Sequence, residues 1–203
     1  MTDYQVYNID FSDFSLQSSQ FDQQSHLHGI KHTYRVMLHC LRLGILTSKI
    51  KEAKVAFFGA YIHDMARTHD GYDTMHGANS VKYKLPYYAL LFNKYGATED
   101  DIKVIKQIVT HHSLPGELPK SDDLFPTLAI LKDADALDRI RLGQYGLDPK
   151  YLRHEETHNS ISFGKDLYYA THPINVNSFV QVLNTALEID NRQGQNTDSL
   201  VSF

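Results

Sequence analysis

The stretch VAFFGAYIHDMARTHDG, residues 55–71, is apolar through its first half and then sets His63 beside Asp64. A carboxylate at the end of a segment fit for a protein interior is costly there, by several kcal/mol unless a cation or a donor compensates it. The same residue types recur where other parts of the chain turn apolar. His32 stands in HGIKHTYRV, His111 and His112 close IVTHH, and Asp133, Asp135 and Asp138 fall within LKDADALDRI. A divalent cation held by several such side chains would resolve the cost. Imidazole nitrogen with carboxylate oxygen suits Fe, Mn, Ni, Co or Zn, with geometry choosing among them. Neighbours on a continuous helix diverge by ~100°. His63 and Asp64 therefore reach one ion only by reaching around it or from a relaxed last turn. A single histidine is more commonly a hydrogen-bonded structural residue than a ligand, so the case rests on the set.

The elements that must position these residues read as helices. Ile30, Val36, Met37, Leu41 and Leu43 mark one over 30–43, closed by Gly44. Ser48 can cap the next, KIKEAKVAFFGAYIHDMA, which is apolar on nearly all sides from Val55, as a central helix would be. GANSVKYKLPYYALLFNKYG predicts a helix disturbed at Pro86 and stopped by Gly96. Thr98, three residues before Asp101, is a capping pattern for TEDDIKVIKQIVTHH. SLPGELPKSDD reads as a loop and FPTLAILKDADALDRIRLG as a helix ending near Gly143. Residues 144–159 read as a polar loop or lid, and INVNSFVQVLNTALEIDNR as the last helix. No segment of any length has the period of a strand. The expected fold is all-α, a compact bundle of six or more helices.

At 203 residues the chain is near the upper end of one ordinary domain of ~100–200 residues, and 42% hydrophobic content supplies a core. The expected organisation is an acidic, aromatic segment over 1–25, one helical domain over 26–192, and a loose tail over 193–203. Tyr4, Tyr7, Phe11 and Phe14, at gaps of three and four, fit one helical face by which the first segment would dock. A net charge of −4 provides no general basic field for nucleic acid, although a local groove stays open. Cys40 stands alone, which suits a reducing compartment. Residues 1–22 carry no Lys or Arg and no long apolar core, unlike a secretory signal. The longest apolar run, 55–62, falls far short of a membrane span of ~20 residues. A cytoplasmic protein is expected, with no membrane partner. There is no Walker-type loop, paired-Cys motif or nucleophile elbow.

Taken in order, HGIKHTYRV, YIHDMAR, IVTHH and LKDADALDRI resemble the HD-domain metal-dependent phosphohydrolase superfamily, with a motif-bearing core over 28–143. Its pattern is a His, a His-Asp doublet and a distant Asp on a compact helical bundle. The resemblance implies His32 as the first metal ligand with His28 flanking it, and His63 and Asp64 as the doublet. Asp135 is favoured as the last ligand because family members carry it in an Ala-Asp-x-Leu setting, matched here by ADAL. Asp133 is the runner-up, and Asp138 would orient a ligand or pair with Arg139 or Arg141. Some branches, including two-metal phosphodiesterases and CRISPR-associated nucleases, add a further His and a His-His pair. His76, His111 and His112 would supply these, with Asp64 bridging two ions. Otherwise His76 is structural or touches only substrate. The implied cofactor is one or two divalent ions, of Fe, Mn, Ni, Co, Zn or Mg.

Such an ion lowers the pKa of a bound water toward ~7. The implied activity is hydrolysis of a phosphomonoester or phosphodiester, in a nucleotide or related small molecule. The catalytic roles would fall to Asp64, His76 and Arg67. Arg67, one turn after His63, would grip a phosphate or else pair with Asp70 or Asp73. With a single ion, His76 or His111 would protonate the leaving oxygen. The alternatives are a metal-dependent nuclease on single-stranded nucleic acid, disfavoured by the low basicity, and a nucleotide-sensing domain without catalysis. Tyr83, Tyr87, Tyr88 and Tyr95 read as packing rather than base stacking. His154 and His158 read as part of a solvated loop, and His69–Asp70 as at most a rim contact.

Overall fold

A computed structural model of the chain describes residues 3–200, with side chains described through 193. Among the described residues all regular structure is helical. The α-helices are α1 Ile30–Leu46, α2 Ile50–Ile62, α3 His76–Tyr83, α4 Leu85–Lys94, α5 Glu99–His112, α6 Phe125–Leu137, α7 Glu155–Asn159, α8 Ile161–Thr171 and α9 Phe179–Leu200. Among the described residues no helix is long and apolar enough to cross a membrane.

The centre is α2, whose residues 55–62 are all buried and which packs against α1, α5 and α6. Phe57 and Phe58 are almost fully enclosed, a burial that stabilises by about 1.5–3 kcal/mol for each side chain. Gly44 does not stop α1. The helix runs on to Leu46, and a Cβ at Gly44 would collide with Ala53 Cβ and Tyr7 Oη. The glycine is a crossing point for α1 and α2, which is a packing role rather than a terminating one. Ser48 adopts φ 57 in the turn between them, and Lys49 stands at the N-cap of α2 without a side-chain bond. The left-handed residue lets Lys49 N donate to Gly44 O at 2.8 Å, so the turn closes through backbone. Thr98 and Asp101 form a reciprocal capping box at the start of α5.

The segment around Pro86 resolves into two helices, α3 and α4, with the proline in the first turn of α4, where its missing N–H is harmless. After Leu137 the chain tightens into a 3-10 turn over Asp138–Leu142 and leaves it at Gly143 with φ 95. Residues 144–159 hold a 3-10 turn, Pro149–Tyr151, and the short α7. The helix α8, which sequence periodicity did not single out, packs on α9 and on the 138–142 turn.

The N-terminal aromatics do not share one α-helical face. They sit on two 3-10 turns capped by Asp3 and Asp10, separated by Asn8 at φ 50. Phe14 meets Phe57 at 4.8 Å between ring centroids, and Tyr7 Oη donates to Leu41 O at 2.6 Å. The last helix continues to Leu200, so the expected tail is helical from 193 to 200 and its remainder lies outside the described residues.

Candidate metal centre

His63 is the C-cap of α2, and Asp64 lies in the tightened turn that follows. Met65 N donates to Ile62 O and Arg67 N to Asp64 O, both at 3.1 Å and both i to i+3. This turn lets two adjacent side chains converge, because the regular 3.6-residue rotation has ended. His32 comes from α1, Asp135 from α6, His76 from the first residue of α3 and His112 from the last of α5.

Four imidazoles in this cluster are oriented alike. Each spends its Nδ1–H on an oxygen that only accepts: His32 on Asp138 Oδ2 at 2.7 Å, His63 on Ala60 O at 2.7 Å, His76 on Asp73 O at 2.6 Å, and His112 on Val109 O at 2.6 Å. Their Nε2 atoms therefore carry lone pairs. Those lone pairs face one another, His32 to His63 at 3.2 Å and His76 to His112 at 2.9 Å. Burial pushes His63 down to about 3, against the pull of Asp64, and His76 down to about 4 with a further push from His112. Both are neutral near pH 7, and two neutral acceptors gain nothing from such an approach unless a cation lies between them.

Asp64 is the hub. Its Oδ2 is 3.3 Å from His32 Nε2 and 3.6 Å from His63 Nε2, while its Oδ1 is 3.2 Å from His76 Nε2 and 3.9 Å from His112 Nε2. Asp135 Oδ1 lies 3.4 Å from His32 Nε2. Ligand atoms ~2.0–2.2 Å from a common ion are separated from each other by roughly 3 Å, so these spacings match the edges of a coordination shell. The donor set fits divalent ions. One group gathers His32, His63, Asp64 and Asp135, and the other gathers His76, His112 and the second oxygen of Asp64.

The carboxylates stay ionised. Burial would raise Asp64, yet the group is held well below the usual range, and His28 donates to it through Nδ1. Asp135 is held down to about 2 by His32 and Arg141 against its burial. Asp138 is lowered too, Arg35 and His32 overcoming its burial. Arg35 binds Asp138 through Nε at 2.5 Å and Nη2 at 3.0 Å, so the order Arg35–Asp138–His32 fixes the ring from behind.

His28 Nδ1 donates to Asp64 Oδ2 at 2.8 Å. Arg67 Nε donates to Asp64 Oδ1 at 2.9 Å and its Nη1 to Gly71 O at 3.2 Å. Arg67 thus pairs with Asp64 rather than with Asp70 or Asp73, and it holds the hub carboxylate. Asp70 takes Ser25 Oγ at 2.5 Å at the rim. His111, expected as a ligand, has no contact with the cluster among the described residues. It precedes His112 by one position, about 100° around α5, and only His112 faces α3.

Asp133, the runner-up, is fully buried and serves elsewhere. It accepts from Arg153 N and Nη1, from His154 N and Nδ1, and from Thr157 Oγ1. His154 is therefore not part of a solvated loop but a peg of the 144–159 segment on α6. Two of the four tyrosines near the third helix pack, Tyr88 against Tyr61 at 5.1 Å and Tyr95 against Phe14 at 5.5 Å, while Tyr83 and Tyr87 are exposed. Arg35 was missed in the sequence, although its place three residues after His32 on a helix was a signal. The Asp133 peg had none, since its partners lie 20 or more residues away.

A cavity of about 280 Å³ opens onto the cluster, lined by His28, Asp64, His76, Asp135 and Arg141 among others. A bundle that is all-helical among the described residues, with a buried histidine–aspartate cluster under a polar cavity, is consistent with a metal site. Residues 29–140, more than half of the chain, match the family described as HD domain, and the chain belongs to that family. Its members are usually metal-dependent phosphohydrolases. No curated protein and no solved structure matches the chain.

Proposed function

We propose that this protein is a metal-dependent phosphohydrolase, cleaving a phosphomonoester or phosphodiester of a nucleotide or related small molecule. The observation that carries the reading is the convergence of four Nε2 lone pairs on the two oxygens of Asp64 beneath an open cavity. His32, His63, Asp64 and Asp135 would hold one divalent ion, and His76, His112 and Asp64 a second. Such ions supply a water of lowered pKa and a positive field for phosphoryl oxygens.

The chain's own residues prepare the rest. Asp138, Ala60 O, Asp73 O and Val109 O fix the tautomer of each imidazole, so every ring presents a lone pair without rotation. Arg67 and His28 clamp one oxygen each of Asp64. Arg141, also at the cavity wall, donates through Nε to Leu27 O at 2.8 Å, which aims its guanidinium beside Asp135. It adds a cation where a phosphate would sit. The buried Cys40 is consistent with a reducing, cytoplasmic setting.

The test is a hydrolysis screen of wild type against Asp64→Ala, each loaded in turn with Mn, Fe, Co, Ni, Zn and Mg. Nucleotides, cyclic dinucleotides, p-nitrophenyl esters and a short single-stranded oligonucleotide are the substrates. Wild type turns over a small ester and the variant loses at least 10³-fold, because without the hub carboxylate the ions that would supply the lowered-pKa water are no longer held. No turnover with any ion would contradict the hydrolase reading, and turnover of the oligonucleotide alone would replace it by the nuclease.

A further inference from the structure

A second cavity of about 690 Å³ adjoins the first. The two share Tyr72, His112, Asp135 and Arg139, so the larger one opens directly beside two residues of the metal centre. Its walls are fixed by the same bonds that peg the 144–159 segment on α6 and by ion pairs to the loop before it. Arg153 ties Glu117 to Asp133, with Nε on Glu117 Oε2 at 2.8 Å and Nη1 on Asp133 Oδ1 at 2.9 Å, and Lys132 Nζ caps Gly116 O at 2.8 Å. The loop before α6 and the segment after it are thereby pinned to each other and to α6, which fixes the walls of the space.

Three tyrosines line that space, Tyr72, Tyr145 and Tyr151, with 83%, 89% and 62% of their surfaces exposed. Tyr72 and Tyr145 leave most of their rings to solvent, and Tyr151 carries Lys150 Nζ 4.8 Å from its ring centroid; exposed aromatic faces are efficient platforms for a planar ring. Arg139 stands at the junction of the two cavities. Its Nε donates to Gly146 O at 2.8 Å, and its Nη groups make no hydrogen bond among the described residues. Its free donors lie between the phosphate end and the aromatic end.

We propose that the larger cavity is the nucleoside site of the substrate, with the base against Tyr72, Tyr145 and Tyr151 and Arg139 on the phosphate that links it to the metal centre. The volume falls within the ~300–1,000 Å³ of small-molecule sites, and aromatic walls with a cation at one end select a ring carrying a phosphate. This rests on the phosphohydrolase reading of the adjoining cavity and names the part of the substrate that reading leaves open.

The experiment measures binding of adenosine, guanosine, cytidine and ribose to the full chain as purified, by titration calorimetry or ligand-observed NMR; none of these carries a phosphate ester to hydrolyse. It compares wild type with Tyr145→Ala/Tyr151→Ala. These side chains are exposed and outside the core, and circular dichroism and metal uptake report whether the variant keeps its fold. At least one nucleoside binds wild type, ribose binds at least tenfold more weakly, and the double variant loses roughly tenfold in nucleoside affinity, as loss of a stacking ring does. Absence of nucleoside binding, equal binding of ribose, or an unchanged affinity in the variant would overturn the proposal. The readout needs no catalysis, so a protein that binds nucleosides and hydrolyses nothing would sink the hydrolase reading alone. One that hydrolyses phosphate esters without binding nucleosides would sink this inference alone.

Discussion

His32 Nδ1 and Asp138 Oδ2 stand 2.7 Å apart with both side chains fully buried, and Arg35 grips the same carboxylate from the other side. That pair decides which nitrogen of His32 faces the metal centre. With the proton committed to Asp138, Nε2 is left as a lone pair within 3.4 Å of His63, Asp64 and Asp135.

Asp138→Asn keeps the shape but removes the charge that holds the tautomer. It lowers metal affinity by about 10–100-fold, read by competitive titration with a chromogenic chelator. Asp138→Ala additionally strands Arg35 in the interior and lowers the stability by about 3–5 kcal/mol, read as a shift in the urea midpoint. Unchanged metal affinity in Asp138→Asn would remove Asp138 from the centre.

Asp133 and Asp135 are separable. Asp135→Asn reduces metal binding and leaves the urea midpoint within about 1 kcal/mol of wild type, since its carboxylate is partly exposed. Asp133→Asn does the reverse, because it loosens Arg153, His154 and Thr157 from α6 while touching no ligand. It costs about 3–5 kcal/mol as a broken buried pair. Loss of metal from Asp133→Asn with full retention by Asp135→Asn would exchange the two roles.

His39 lies on α1 with both ring nitrogens buried and without a hydrogen-bond partner among the described residues. Burial pushes it down to about 3; Asp138 opposes that push, while Arg42, Arg35 and His32 add to it. The folded state therefore refuses a proton that the unfolded chain accepts below about 6.5. Stability from this group is complete above pH 6.5 and falls by about 1.4 kcal/mol per pH unit as pH drops toward 3. His39→Leu removes that slope, so its gain over wild type is about 2 kcal/mol greater at pH 5 than at pH 8. Parallel stability–pH curves for the two proteins would contradict this.

Gly44→Ala tests the crossing of α1 and α2. The added methyl meets Ala53 and Tyr7, an overpacking that costs about 1–3 kcal/mol. Ala53→Gly in the same chain restores part of the loss if the clash is the cause. A lone Gly44→Ala that is neutral in urea would mean the helices can separate without penalty.

Much of this fold was legible because apolar runs at a 3.6-residue period left little room for any other element, and α2 advertised its central place by being apolar all round. The candidate metal centre was legible in part for the same reason in reverse, since His32, His63 and Asp64 are polar groups where the pattern demands apolar ones; the choice of Asp135 over Asp133 and the place of His112 came from the resemblance to HD domains. His111 could not be told from His112, because the direction of one residue in an adjacent pair depends on how α5 is rotated against α2 and α3. Gly44 read as a stop because a glycine that ends a helix and one that lets two helices touch look alike in sequence. The Asp133 peg, helix α8 and the tyrosine-lined cavity were hidden for a shared reason. Each depends on segments distant in the chain whose local pattern is weakly apolar or polar, so only the tertiary arrangement gives them meaning.

The most direct measurement is metal content after anaerobic purification and after reloading, by inductively coupled plasma mass spectrometry, for wild type and Asp64→Ala. The geometry predicts up to two divalent ions per wild-type chain, with both places lost in the variant because one carboxylate serves both. Wild type that stays metal-free in the presence of every candidate ion, or Asp64→Ala that binds as much as wild type, would contradict the metal centre on which the account rests.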